Sequence, residues 1–392
     1  MISYKKLISA FLFISVTTFG MKAAQAQSVQ VEEIPGPGST DKVMLLKGAA
    51  FSADDFWVTK FEQPNLTLAE FDITYRNVLS FSTSPEGLHL AVLYEKEEGV
   101  FSVDIINRDG EVAFRKSALD NIEFGDQSLK LYLLNNGRFI IRDNIAGFRG
   151  FDPSGRFSFE VFNASASEEG EAVSELAAAG NGDRMYVYNP RIIREGRNES
   201  RIQLLYDNDL QGVAWYSQEE TIQTAATTSD GKFLYIASEN SSGNVTVRKF
   251  NDEGEKVAEL SAENENVSVK FQPEDDVVIF YADRTAQVYR VDSGERLANA
   301  FLRGNVNIVV AHYDEADNVV VTLTGSRNRQ TRAIQPSGIH IVDLTARALI
   351  STDSVPSQLN YFEYQDPTFV RTGANQYMLC GTKNPLNISI NR

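Results

Sequence analysis

Residues 229–237 read SDGKFLYIA, a polar turn that runs directly into an apolar and aromatic segment. Residues 83–92 read TSPEGLHLAV and repeat that order. In both places a second apolar segment follows, and a second Gly-bearing turn stands 23 residues after the first, at Gly110 and Gly254. Short segments of β-branched and aromatic residues bounded by Gly, Asn and Asp are typical of strands joined by tight turns. The phrase therefore predicts a repeated antiparallel β unit.

The unit recurs along the chain at a nearly constant spacing of 41 to 58 residues. Its first turns fall near Gly87, Gly137, Gly182, Gly231, Asp276, Asp317 and Asn375. A four-stranded propeller blade repeats every 40–50 residues or so. Continuous apolar runs, such as VVIFY at 277–281, suit strands that are buried on both faces between neighbouring blades. We predict an all-β fold, a β-propeller with seven blades of four antiparallel strands, with six or eight blades as alternatives.

Both ends of the chain are expected to close the ring. Residues 359–390 supply only two or three strands, and the segments 56–61 and 66–73 are left over from the repeat. Joining them would complete one blade and remove open sheet edges. A pair of β-sandwiches or an open β-solenoid is the alternative architecture. Residues 172–179 are the one stretch expected to form a turn of helix.

The repeated phrase resembles the S-P-D-G-x-x-L-x-V unit of the YVTN and TolB-like propeller families, which are related to WD40 repeats. The resemblance covers most of the predicted units and implies the architecture alone. It departs from the WD40 pattern because neither Trp57 nor Trp215 stands in a Trp-Asp pair. No functional residue follows from it.

The N-terminal residues are predicted to be a signal peptide. Lys5 and Lys6 precede an uncharged apolar stretch at 7–19, and AQA at 24–26 offers the small residues that signal peptidase requires. The apolar stretch is shorter than the ~20 residues that span a bilayer, and an uncleaved anchor is the alternative. We expect residues 1–26 to be removed, residues 27–41 to form an N-terminal lead-in that precedes the domain, and residues 42–392 to form a single propeller domain.

Cysteine usage and charge narrow the class of protein further. Cys380 is the only cysteine, so no internal disulfide can form, and we expect a buried, inert thiol. A signal peptide without disulfides favours a bacterial protein, periplasmic or secreted. The chain carries 37 basic and 53 acidic side chains, which argues against nucleic acid as a partner. No second long apolar run follows the first, so we expect no membrane insertion after cleavage. We expect a monomer.

No catalytic or metal-binding motif stands out. The chain contains no G-x-S-x-G pattern of the kind that displays an activated serine. His89, His312 and His340 each lie in or beside a predicted strand and are not expected to share a metal ion. The sequence therefore predicts no catalytic residue, no metal and no cofactor.

One feature of the charge distribution points to a binding face. Arginines gather in the predicted connections between the second and third strands of their units, where they would all emerge on one face. They are Arg142, Arg191, Arg194, Arg197, Arg284, Arg327, Arg329 and Arg332. Long loops on a rigid scaffold often carry function, and guanidinium groups suit carboxylate, sulfate or phosphate. The competing interpretation is that these arginines are solvated or paired with acids such as Glu195 and Glu199.

These observations favour an exported binding or scaffold protein whose ligand is an anionic glycan or a protein partner. Two alternatives stay open. One is a propeller hydrolase or lyase with a site in the central channel, which would need carboxylates or histidines from several inner strands. The other is a structural envelope or secretion accessory protein. A shared fold alone does not choose between them.

Overall fold

The computed structural model describes 28–33, 44–46, 57–62, 65–68, 71–84, 87–117, 119, 129–143, 147–161, 175–178, 184–194, 197–206, 209–328, 331, 333–361, 367–382 and 385–391. The predicted signal peptide and its cleavage site lie outside these ranges.

Within the described residues the chain forms eight antiparallel sheets, each built on four strands and here called blades 1 to 8. Strand β1 (Ser28–Glu33) belongs to the last of them. Blade 1 comprises β2 (Met44–Leu46), β3 (Trp57–Glu62), β4 (Asn65–Leu68) and β5 (Ile73–Tyr75). Blade 2 comprises β6 (Val78–Thr83), β7 (His89–Glu97), β8 (Val100–Asn107) and β9 (Val112–Lys116). Blade 3 comprises β10 (Lys130–Leu133), β11 (Phe139–Asp143), β12 (Gly147–Phe151) and β13 (Phe157–Val161). Blade 4 comprises β14 (Glu175–Ala178), β15 (Met185–Arg194), β16 (Arg197–Tyr206) and β17 (Asp209–Ser217).

The second half of the ring follows the same plan. Blade 5 comprises β18 (Glu220–Thr227), β19 (Leu234–Asn240), β20 (Asn244–Phe250) and β21 (Lys256–Glu265). Blade 6 comprises β22 (Ser268–Gln272), β23 (Val277–Ala282), β24 (Thr285–Arg290) and β25 (Arg296–Phe301), with a short 3-10 turn at Pro273–Asp275. Blade 7 comprises β26 (Ile308–Asp314), β27 (Val319–Asn328), β28 (Ala333–Asp343) and β29 (Ala348–Thr352), and β30 (Leu359–Asn360) pairs with the start of β28. Blade 8 comprises β31 (Thr368–Gly373), β32 (Gln376–Cys380), β33 (Leu386–Asn391) and β1.

The expected all-β propeller is confirmed. The described residues form eight sheets built on four strands, one more than the seven blades that the sequence favoured and equal to one of its alternatives. The segments 56–61 and 66–73 were expected to complete the last blade, but their strand residues, 57–61, 66–68 and Ile73, belong to a blade of their own, blade 1. The strand that completes blade 8 is β1, which lies in the expected lead-in 27–41. Sequence reasoning missed blade 1 because 44–75 lacks the Gly-bearing phrase that marks the other units.

One further expectation is wrong at the level of local structure. Glu175–Ala178, within the stretch expected to form a turn of helix, is strand β14 and pairs with β15. Its helix-forming alanines take an extended conformation because the sheet supplies their hydrogen bonds, which illustrates how tertiary context overrides local propensity.

The turns that defined the repeat adopt left-handed backbone conformations at equivalent places. The positive φ values belong to Gly87 (72°), Gly137 (82°), Gly231 (71°), Asp276 (53°), Asn318 (51°) and Asn375 (58°). Asn318 takes this role one residue after the expected Asp317, and Gly182 lies outside the described residues. Glycine, aspartate and asparagine tolerate this conformation better than other residues, which is why the phrase is readable in the sequence.

Neighbouring blades share their hydrophobic cores. Among the residues that the structure describes, seven clusters of buried side chains each join two consecutive blades, from blades 1 and 2 round to blades 7 and 8. Along β27, Val319 and Val321 face blade 8 whereas Val320 faces blade 6. Alternate side chains of a strand point to opposite faces, so a strand between two blades needs apolar residues throughout. This explains the continuous apolar runs.

The order of contacts describes a ring. First strands of consecutive blades touch each other, as in the pairs β6 with β10, β14 with β18, β18 with β22 and β26 with β31, and β2 of blade 1 touches β32 of blade 8. Cys380 is completely buried in β32, as expected. Among the described residues, no helix has both the length and the apolar character needed to cross a bilayer.

The third-to-fourth turn of blade 2 packs against blade 1 without room for a side chain. Gly110 has a φ of +79°, and a Cβ added there would lie 2.3 Å from Cδ1 of Phe71. Gly254 occupies the equivalent turn of blade 5 with a φ of +83°, but a Cβ there would meet nothing within 4 Å. The two glycines therefore share the same backbone requirement and differ only in their neighbours.

We expect Gly110→Ala to destabilise the protein more than Gly254→Ala does. Both variants carry the ~1–2 kcal/mol cost of a left-handed alanine, and Gly110→Ala adds about 1–3 kcal/mol for displacing the Phe71 ring. Urea unfolding of the two variants measures the difference. Equal losses would show that the Phe71 ring moves aside freely.

Blades 7 and 8 are joined by a buried polar network. The Tyr377 hydroxyl lies 2.9 Å from Oδ2 of Asp314 and 2.8 Å from Oδ2 of Asp317. The guanidinium Nε of Arg371 lies 3.0 and 3.2 Å from the same two oxygens, and the Asn375 amide donates to Asp317. Burial alone would raise the pKa of Asp317, but the hydrogen bonds from Arg371, Asn375 and Tyr377 outweigh it and hold that pKa below its usual range.

We expect Tyr377→Phe to lower the free energy of unfolding by about 1.5–3 kcal/mol near neutral pH, because a hydrogen bond to a buried carboxylate is lost. A carboxyl group with a depressed folded pKa stabilises above its unfolded pKa, near 3.8, and this contribution disappears as pH falls through the folded pKa. The difference between wild type and variant should therefore shrink below pH 4 in pH-dependent urea unfolding. Tyr313→Phe is the control, since the described residues provide no hydrogen bond to its hydroxyl; a pH-independent difference would contradict the assignment.

Candidate functional site

The arginines singled out in the sequence lie where the second strand of a blade passes to the third. Arg142 is the penultimate residue of β11, Arg191 and Arg194 lie in β15, Arg197 begins β16, and Arg284 and Arg327 belong to blades 6 and 7. Arg329 and Arg332 lie outside the described residues. In a four-stranded meander this connection lies at the end opposite the first and third turns. The structure thus places the described arginines at the same end of their blades, here called the ribbon face.

The two long arginine-rich connections are not loops but extensions of strands. In blade 4 the pairing of β15 with β16 continues to Arg194 and Arg197 at the tip. In blade 7 the pairing of β27 with β28 continues to Asn328 and Ala333. The sequence looked loop-like because of its Arg, Asn and Glu content, but Ile192 and Ile193 favour an extended backbone. The blade 4 connection is therefore a two-stranded extension, here called the blade 4 ribbon, whereas the blade 7 extension is also paired with β30 at the start of β28.

Arg284 is held against an aromatic ring. It occupies the tight turn of blade 6, and its guanidinium carbon lies 4.6 Å from the centroid of Phe301. Phe301 ends β25 with 56 % of its surface exposed. Stacking of a guanidinium on an aromatic face orients its donors at the edge, where they can meet an anion.

Arg327 is held in the same way in the next blade. Its guanidinium carbon lies 4.5 Å from the centroid of Tyr361, and its Nε donates a hydrogen bond of 3.1 Å to the Tyr361 hydroxyl. The sequence analysis identified both arginines but not the aromatic rings against which they pack. Phe301 and Tyr361 are distant from these arginines along the chain and belong to no motif.

A polar groove runs between these two blades and contains Arg284. Its side chains include Asn305, Asn307, Ser326, Gln335 and Ser337. Ser326 and Gln335 also line the adjoining depression, which contains Arg327. This surface is here called the blade 6–7 groove. Asp283 is its one described carboxylate, and side chains with amides or hydroxyls, which both donate and accept hydrogen bonds, make up half of the rest.

A smaller cavity of about 250 Å³ opens among the first strands of blades 5, 6 and 7. Lys270, Tyr281 and Arg327 are among its lining residues. The hydrolase or lyase alternative calls for carboxylates or histidines at such a place, and the described lining contributes neither.

Arg142 is not brought together with the other two described side chains. It is only 6 % exposed and its backbone pairs with Lys130 and Phe148 within blade 3. Blades 4 and 5 stand between it and Arg284. For Arg191, Arg194 and Arg197 the structure describes the backbone position on the blade 4 ribbon and not the side chains. Arg284 and Arg327 are therefore the best-defined pair.

The histidines lie apart from one another. His89 belongs to blade 2, whereas His312 and His340 belong to blade 7. The part of the chain that the structure describes contains no group of three or more His, Cys, Asp or Glu side chains placed to hold a metal ion.

His340 links the fourth strand of blade 7 to the blade 6–7 groove through hydrogen bonds. Its Nδ1 lies 2.8 Å from the Ser351 hydroxyl, and its Nε2 lies 3.0 Å from the Thr324 hydroxyl. Thr324 in turn lies 2.9 Å from the hydroxyl of Ser337, which lines the blade 6–7 groove. Burial lowers the pKa of His340. A neutral imidazole that bonds two hydroxyls fits this position.

The comparisons with known proteins support the architecture. The structure matches "Structure of Dos1 propeller" with a TM-score of 0.52 and 12 % identity over 92 % of this chain and 94 % of that chain. The fold is that of a β-propeller. A second similar structure is BamB from Moraxella catarrhalis, with a TM-score of 0.49 and 11 % identity over 92 % of this chain and 99 % of that chain.

Sequence comparison adds nothing to this fold-level likeness. No family model matches the chain, and no curated protein matches it either. Because 933 solved chains match in structure, the propeller is too widely shared to select one function.

We expect the His340 imidazole to titrate below pH 6.5, its ordinary value, because burial disfavours the charged ring. The unfolded chain takes up the proton more readily, so the folded protein loses stability as pH falls below 6.5. NMR titration of the ring protons measures the midpoint, with a denatured sample as the reference. A midpoint at or above the denatured value would contradict the buried, neutral assignment.

Proposed function

We propose that this chain is an exported binding protein that holds an acidic polysaccharide on its ribbon face at blades 6 and 7. The observation that carries the proposal is the pair Arg284 and Arg327, each fixed on an aromatic ring beside one polar groove. Pre-oriented guanidinium groups lose little conformational freedom when they bind a carboxylate.

The groove lining favours a glycan over a simple anion. Asn305, Asn307 and Gln335 present amides that can bond sugar hydroxyls as donors and as acceptors. Exposed Phe301 at the end of β25 offers an apolar face beside Arg284. An acidic glycan presents carboxylates for the arginines and hydroxyls for the amides on one molecule.

The rest of the proposal rests on the sequence. Export follows from the predicted signal peptide, and we propose a periplasmic or secreted monomer that is cleaved near Ala26. An acidic protein surface would offer carboxylates as well, and it is the second candidate partner.

The test measures binding of polygalacturonate to the mature protein, from Gln27 onward, by calorimetry. We expect binding that weakens as salt is raised and that neutral dextran does not reproduce. Arg284→Ala and Arg327→Ala should each lower the affinity by about 10- to 150-fold, since a charge-assisted hydrogen bond contributes about 1.5–3 kcal/mol.

The matched control is Arg76→Ala. Arg76 is exposed in the connection between blades 1 and 2, on the ribbon face but across the ring from the groove. Equal loss of affinity in Arg76→Ala, or equal binding of dextran, would show non-specific attraction and overturn the proposal. If polygalacturonate does not bind, but a protein is retained from the native envelope in a manner that requires Arg284 and Arg327, the second candidate replaces the first.

A further inference from the structure

A threonine hydroxyl lies directly behind the wall of the blade 6–7 groove. Thr324 is fully buried in β27 and pairs with Gly338 of β28. Strand β28 runs from the ribbon face to the turn face, which is the end of the blades that carries the first and third turns, and it surrounds that hydroxyl with Ser337, Gly338 and His340. Ser337 is exposed and lines the groove, so it connects the buried hydroxyl to the surface that a ligand would meet.

The Thr324 hydroxyl has three hydrogen-bonding neighbours and only one proton. Its Oγ1 lies 3.2 Å from the carbonyl oxygen of Gly338, 3.0 Å from Nε2 of His340 and 2.9 Å from Oγ of Ser337. A carbonyl oxygen can only accept, whereas a hydroxyl donates once and accepts twice. All three contacts can be hydrogen bonds in one arrangement only, in which Thr324 donates to the carbonyl and accepts from the imidazole and from Ser337.

The state of His340 agrees with this arrangement. Burial lowers the pKa of the imidazole and keeps it neutral near pH 7, so the ring carries one proton. With that proton on Nε2, the ring donates to Thr324, and its Nδ1 accepts from the Ser351 hydroxyl at 2.8 Å. Both ring nitrogens are then satisfied, as polar groups inside a protein generally are.

The inward hydrogen bond determines what Ser337 can offer to a ligand. A serine whose proton is free can donate or accept, as the amide side chains of the groove can. Ser337 donates its proton to Thr324, so only its lone pairs are directed to the groove. The ionised carboxylate of Asp283 also accepts only, whereas Arg284 donates only. The groove therefore contains acceptor positions that a ligand hydroxyl satisfies and that an ether or ester oxygen does not.

We propose that the Thr324 hydroxyl orients Ser337 as a hydrogen-bond acceptor, so that the blade 6–7 groove selects sugars with free ring hydroxyls over O-methylated or O-acylated sugars. Thr324 is thus a positioning residue that acts through Ser337 and does not touch the ligand. The inference rests on the proposed function and adds to it a requirement on the substitution of the glycan. An ether oxygen placed against Ser337 would meet a second acceptor, and no proton would lie between the two oxygens.

The experiment compares trigalacturonate with its O-methyl ether, in which the ring hydroxyls are methylated and the carboxylates are free, by calorimetry. The ratio of the two dissociation constants measures the discrimination. Thr324→Val keeps the shape of the side chain and releases the Ser337 proton, which can then be donated to the ether. We expect this variant to reduce the discrimination about 2- to 13-fold, the range that one neutral hydrogen bond contributes.

The matched control is Thr324→Ser, which keeps a hydroxyl at the same place and should keep the wild-type discrimination. The fold should tolerate valine, because the imidazole of His340 can move its proton to Nδ1 and donate it to Ser351. If methyl bulk alone excluded the ether, Thr324→Val would discriminate as strongly as wild type, since the Ser337 side chain keeps its size.

A second variant tests the same inference if Thr324→Val does not fold. Ser337 is exposed, so its truncation leaves the core intact. Ser337→Ala should weaken the binding of trigalacturonate about 2- to 13-fold and should not weaken the binding of the ether. A serine that donated to the ligand would instead show weaker binding of the ether as well.

The outcomes separate this inference from the proposed function. Equal affinity of the wild type for the two ligands, unchanged discrimination in Thr324→Val, or weaker binding of the ether by Ser337→Ala overturns the inference. The proposed function stands in each of these cases if trigalacturonate still requires Arg284 and Arg327. Absence of trigalacturonate binding overturns both.

Discussion

Six residues close the ring. Ser28–Glu33 pair in register with Leu386–Asn391, so the last blade consists of one strand from the start of the folded chain and three from its end. This pairing covers an edge of β33 that would otherwise present unpaired backbone groups, and it places Val29 and Val31 on the core shared by blades 7 and 8. Apolar clusters of the described residues join consecutive blades from blade 1 to blade 8, and β1 completes the blade at the end of this series.

Buried ionic contacts reinforce the junctions and account for part of the acidic composition. Lys249 of blade 5 is almost fully buried and lies 2.9 Å from Asp276 and 2.7 Å from Asp292 of blade 6. Tyr75 of blade 1 donates to the buried Asp104 of blade 2, which also accepts two hydrogen bonds from Arg115. Asp276 and Asp292 lie in turns of blade 6, and Asp276 also takes the left-handed backbone conformation, whereas Asp104 lies within β8. In the turns of blade 6, backbone conformation and the contact with blade 5 therefore both favour acidic residues.

A feature of this fold can be predicted from the sequence where local residue preferences determine it, and not where tertiary packing does. The turns at Gly87, Gly137 and Gly231 can be predicted because a left-handed backbone conformation requires particular residues. The inner strands can be predicted because a strand between two blades is buried on both faces and so needs a continuous apolar run. Blade 1 could not be predicted, since 44–75 lacks the Gly-bearing turn and apolar segment that mark the other units. Strand β14 could not be predicted either, because Glu175–Ala178 is composed of helix-forming residues. Only part of the candidate site could be predicted. The arginines stand out in the sequence, but the aromatic rings of Phe301 and Tyr361 contact them only through tertiary packing.

The ribbon face differs from the turn face in how freely its sequence can vary. A first turn must return the chain within a few residues, hold a positive φ, and in blade 7 also place Asp314 and Asp317 against Tyr377. A second-to-third connection is bound only by the pairing of its two strands, so it can lengthen outward as a ribbon without disturbing the core. Blade 6 joins these strands with two residues, whereas blades 4 and 7 carry their pairing well past the sheet. Second-to-third connections can therefore gain length and charge at little cost in stability, and those of blades 4 and 7 contain Arg194, Arg197 and Arg327.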